Sequence, residues 1–151
     1  LRADARGLLI VASFLSFGIA ALHIVIIGVG SPAYLYFGAG GMAQLAAQAS
    51  WAPALVTWGI TAVLVVFGLY ALAGAGVVRS LPFLQAGIMV IGSIYTLRGL
   101  VVVLDLVRLS RGAGYPVRQT VFSAVSLGVG LVYLAGAFAR SGSAGGAHAT
   151  R

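Results

Sequence analysis

Between Arg6 and Arg79 the chain contains no Asp, Glu, Lys or Arg. A soluble fold of ordinary composition carries about one charged residue in four, so a run of this length without charge fits no water-facing surface. It is long enough to cross a bilayer twice, since a hydrocarbon core of about 30 Å takes roughly 20 apolar helical residues per crossing. The remainder of the 151 residues follows suit: 61% are hydrophobic, 7% are charged and mean hydropathy is +1.09. Strands are disfavoured, because no segment alternates for long and an open sheet edge has no place in lipid. The reading is an all-α integral membrane four-helix bundle in one domain, residues 1–140. Its spans run over about 8–30, 53–76, 83–107 and 120–139, and a flexible tail occupies 141–151. The first span is too long for a secretory signal and lacks a small-residue cleavage pattern.

All nine basic residues are arginines, balanced by only two aspartates, for a net charge of +7. They mark the ends of apolar runs and do not gather on one soluble face, which excludes nucleic acid as a partner. With the N-terminus in the cytoplasm, Arg2, Arg6, Arg79 and Arg140 lie inside, and Arg108, Arg111 and Arg118 outside. Positive charge favours the cytoplasmic side, so both termini are expected there. The absence of cysteine excludes disulfides and thiolate chemistry.

The connector after the first span, "SPAYLYFGAGGMAQLAAQASW", is expected to carry a short interfacial helix over Met42–Ala49. Gln44 and Gln48 share one of its faces. Tyr34, Tyr36, Phe37 and Trp51 supply the aromatic groups that settle at headgroup level. This loop reads either as an aromatic belt with a connector or as a lid over the outer end of the bundle.

The polar residues inside the spans are few. Arg98 and His23 each lie fifteen residues past the start of their spans, about 22 Å up the helix. The second and fourth spans run the other way, so Thr57, Thr61, Ser123 and Ser126 fall in the same layer. Asp105 is seven residues beyond Arg98 on the same helical face. Its axial offset of about 10.5 Å is too long for a relaxed ion pair, so water, Tyr95 or a group on another helix has to mediate, or Arg98 pairs elsewhere. Arg98 either ties helices together or touches a ligand; His23 is either a packing residue or part of the same site. The expected polar cluster is therefore His23, Thr57, Thr61, Tyr95, Arg98, Asp105, Ser123 and Ser126.

Much catalysis is disfavoured by what is missing. Axial haem ligation by two histidines needs a second one within the spans, and His148 lies in the tail. A metal site wants several donors, and "GAGG" is no phosphate loop because no strand precedes it. No catalytic residue, metal or cofactor is assigned, with a bound lipid or quinone left open.

The segments "ALHIVIIGVGSPAYLYFGAGGMAQLA", "PALVTWGITAVLVVFGLYALAGAGVVRSLP" and "IYTLRGL" together resemble a family of small uncharacterised four-span proteobacterial inner-membrane proteins. A more distant likeness to the DoxX-like group rests on size and span count alone. The resemblance covers Ala21 to Leu100 and includes His23, Pro32, Tyr34, Tyr95, Arg98 and Gly99; it departs at Gly41, where the family often has an acid. It implies a four-span architecture in a bacterial inner membrane and no activity. Two functions stay open. One is a non-enzymatic accessory or scaffold subunit among other membrane subunits or copies of itself. The other is a protein binding a lipid, quinone or small molecule, or transporting one, at the polar cluster.

Overall fold

Each of the four prolines stands at the start of a helix. A proline there sacrifices only an N–H that has no helical partner anyway. In a computed structural model, which describes residues 3–112 and 116–145, α1 runs over Ala3–Val29, α2 over Ser31–Tyr36 and α3 over Gly40–Ala47. They are followed by α4 (Ala52–Gly74), α5 (Leu84–Gly99), α6 (Val101–Ser110) and α7 (Val117–Gly145). Pro32 and Pro53 lie in the first turns of α2 and α4, Pro82 two residues before α5, and Pro116 immediately before α7. No strand occurs among the described residues.

Four stretches are long and apolar enough to cross a membrane: Ala3–Val29, Ala52–Gly74, Leu84–Ser110 and Val117–Gly142. The protein is a helical, four-span membrane protein, as expected, with α2 and α3 as extra short helices between the first two spans. The third span is not one uninterrupted helix. At its junction Leu100 has φ −61° and ψ −17°, the tight geometry of a 3₁₀ turn. The Val103 amide donates to Leu100 O, three residues back, at 3.1 Å. Thr96 Oγ1 donates to Gly92 O one turn back, at 2.8 Å, a bond that bends helices. The fourth span also continues beyond its expected end, with helix through Gly145. The remainder of the tail, with His148, lies outside the described residues.

The chain folds as two compact units. One joins the start of α1, up to Leu15, to everything from Phe67 onward. Its interior depends on closeness of backbones, because in lipid the association of helices rests on packing and polar bonds. A Cβ on Gly99 would run into the Leu127 backbone, and one on Gly92 would meet the Leu134 side chain at 2.9 Å. On the α7 side Gly130 leaves room for Thr96. Next to these notches Tyr95 stacks on Tyr133, with ring centroids 5.7 Å apart, and meets Phe67 edge-on at 5.8 Å. Tyr133 is fully buried, and its hydroxyl donates to Phe67 O at 2.9 Å. Leu9 fills the space left by Gly74 and Gly136.

The other unit is Ser16–Val66. Here α2 and α3 fold back on each other. Ile26, Ala33, Tyr34 and Ala43 form a small core, with Phe37, Ala39, Met42 and Ala46 packed against it. Ser31 Oγ donates to Ala43 O at 2.8 Å and ties the start of α2 to α3. The loop is thus more ordered than a connector. The helix expected at Met42–Ala49 is present but shifted two residues earlier, since Ala49 takes a positive φ of 58° and ends it. Gln44 and Gln48 are both exposed.

Candidate functional site

The eight expected polar residues are divided between the two units. In the unit of residues 16–66, Thr57 and Thr61 are buried on α4. Thr57 Oγ1 donates to Pro53 O at 2.7 Å, and Thr61 Oγ1 to Thr57 O at 2.8 Å. Both are bonds to the carbonyl one turn back, which helical threonines make readily. Because the hydroxyl hydrogen of Thr57 is committed, Tyr34 must be the donor in its 2.9 Å bond to Thr57 Oγ1. Tyr34 therefore fastens the α2–α3 hairpin to α4. His23 is half-buried, and its Nδ1 lies 2.8 Å from Ile19 O. A carbonyl only accepts, so Nδ1 carries the hydrogen and Nε2 is left as the second ring position.

Of the candidate partners for Arg98 at matching depth, His23, Thr57, Thr61 and Ser123, the one bonded to it is Ser123; the other three make the local bonds just described.

The second group lies in the other unit. Arg98 Nη1 donates to Ser123 Oγ at 3.4 Å, and Ser123 Oγ donates to Asp105 Oδ2 at 2.6 Å. The hydroxyl on α7 is thus the mediator that the helical offset between Arg98 and Asp105 requires. Asp105 is fully buried, as is nearly all of Ser123. Arg108 Nη1 approaches Asp105 Oδ1 at 3.8 Å, from a side chain 56% exposed. The short hydroxyl bond is the stronger hold. A hydrogen bond to a charged group contributes about 1.5–3 kcal/mol, whereas a long pair with an exposed partner contributes at most about 1 kcal/mol. Ser126 Oγ donates to Phe122 O, one turn back on α7, at 3.0 Å. Tyr95 belongs to the aromatic stack below.

Two properties of this group are chemically informative. It sets the guanidinium groups of Arg98 and Arg108 on either side of one buried carboxylate, Asp105. And Arg98, despite its bond to Ser123, is an exposed residue. The exposed aromatics of the first connector, Tyr36 and Trp51, and the partly buried Phe37 lie in the other unit. Tyr36 and Phe37 meet edge-on at 5.2 Å. Among the described residues no three side chains of His, Asp or Glu come together. Sequence reasoning passed over Ser31, whose signal was a serine at the start of a Pro-containing turn of helix.

Compared with known proteins, the chain matches no family model, and neither the curated proteins nor the solved structures give a match. The class is carried by the chain itself: a small four-span helical membrane protein.

Proposed function

We propose that this protein is a non-enzymatic accessory or scaffold subunit of a larger assembly in a bacterial inner membrane, with both termini cytoplasmic. The observation that carries the reading is Arg98, a guanidinium exposed on the flank of a membrane span with one long hydrogen bond. A charge on a transmembrane helix is costly, and such residues face other helices or water and pair with other groups. A site for a small molecule instead encloses most of its ligand in a concavity. An exposed flank suits another subunit better. The resemblance to small four-span inner-membrane proteins supports the location.

Solubilisation from native membranes in mild detergent, followed by native mass measurement, tests this. Stoichiometric foreign subunits are expected. A lone bundle carrying a lipid or quinone overturns the reading in favour of a ligand-binding protein.

A further inference from the structure

Resting on that reading, we infer that Arg98 is the docking point for a transmembrane helix of a different polypeptide, one that carries an Asp or Glu within the membrane. Depth is the first constraint on a partner. The span Leu84–Ser110 has 27 residues, about 40 Å of helix for a core of about 30 Å. Fourteen residues of the span precede Arg98 and twelve follow it, so its backbone lies within the hydrocarbon layer and away from both ends of the span. Lipid phosphates sit outside that layer, so they are the poorer partners.

Next comes charge. The local carboxylate, Asp105, is buried and already accepts the Ser123 hydroxyl beside Arg108. Among the described residues Arg98 itself bonds to Ser123 and to no carboxylate, so its charge is open to an acid from outside. The two aspartates of this sequence do not serve from a second copy: Asp4 stands in the first turn of α1 at a span end, and Asp105 is buried. An acid on a different polypeptide fits the charge.

The surroundings of Arg98 suit a helix. Val90, Ile94, Leu97, Val101 and Leu104 are all exposed and follow the three- and four-residue spacing of one helical face. Arg98 adjoins Leu97 on this ridge. A partner helix lying along it covers the apolar side chains and shields the ion pair from water, where a carboxylate takes two of the guanidinium's five donors in a bidentate pair.

The test uses the full chain, donor-labelled, in phosphatidylcholine vesicles. The probe is an acceptor-labelled Leu/Ala peptide of about 20 residues with one Glu at its midpoint. Energy transfer is expected to exceed that of the Gln peptide by roughly tenfold in apparent affinity. Arg98→Leu should remove the difference, Arg98→Lys should keep part of it, and Arg111→Leu should leave it unchanged. Because Arg98→Leu could act by loosening the fold, the swapped pair is decisive. Arg98→Glu should lose the Glu peptide and gain a peptide with Arg at the same place. Equal transfer with Glu and Gln peptides, or failure of the swap, overturns the inference. So does loss of pairing when phosphatidylglycerol replaces a third of the lipid together with Arg98-dependent retention of that lipid, which makes a headgroup the partner. Failure here leaves the accessory-subunit reading standing, since that falls only with a lone bundle in native membranes.

Discussion

Ser123 shows how little a single hydroxyl needs in order to matter within a membrane. It receives Arg98 and donates to a fully buried carboxylate at 2.6 Å. Ser123→Ala removes the donor while leaving the carboxylate buried, so it should destabilise the protein by about 1.5–3 kcal/mol. The measurement is thermal unfolding followed by circular dichroism in mild detergent. Ser123→Thr should restore most of the loss, and a midpoint for Ser123→Ala equal to that of the parent would contradict the bond's importance. Arg98 and Asp105 were legible in the sequence as charges sharing a helical face with an offset that demands a mediator. Which residue mediates was not legible. Thr57, Thr61 and Ser123 stand at matching depth and carry the same chemical group. Only the fold shows that the two threonines turn back to carbonyls of α4 and that Ser123 does not.

Helix ends and helix contacts show the same division. The four spans are set by hydropathy, and the starts of the last three are punctuated by proline, so they could be read directly. The break at Leu100 could not, because "RGLVVV" has no proline and Gly99 reads equally as a packing glycine. In the structure Gly99 brings α5 against the Leu127 backbone of α7. Backbone cannot yield as a flexible side chain does, so Gly99→Leu should force the helices apart and cost at least about 1–3 kcal/mol, the usual range for overpacking. Gly128→Ala, on α7 but with open space around its Cβ position, is the control and should be neutral or slightly stabilising. The same detergent melts compare them; similar midpoints for the two variants would contradict the close approach. The hairpin of α2 and α3 gives a milder case. Tyr34→Phe deletes the donor to Thr57, but Thr57 keeps its own bond to Pro53 O. The loss should be about 1 kcal/mol, confined to faster amide exchange over Ser31–Ala47, with the rest of the chain unaffected.

For the molecule as a whole the governing fact is that its spans are mostly outward-facing. Only 28–33% of each span's most apolar window is buried inside the chain, so lipid or other subunits must cover the rest. Four crossings place both termini on one side, together with the connector between the second and third spans. That side then holds Arg6, Arg79 and Arg140, as well as Arg2, while the opposite side holds Arg108, Arg111 and Arg118. The difference is small, but the first connector carries no charge at all. It therefore offers nothing to retain it in the cytoplasm, and the bias by Lys and Arg in short loops sets orientation. Reporter fusions at Gly41 and after the last residue are expected to report the outer face and the cytoplasm, respectively. A third fusion at Arg79 should agree with the C-terminal one. Moving the bias should move the protein: replacing Arg6 and Arg79 by Gln while adding two lysines near Gly41 should invert a measurable fraction of molecules. A cytoplasmic signal from Gly41 in the parent chain would reverse the orientation. The group of Arg98, Ser123 and Asp105 would then lie in the cytoplasmic half of the bilayer, and an acidic partner helix would have to present its carboxylate at that level.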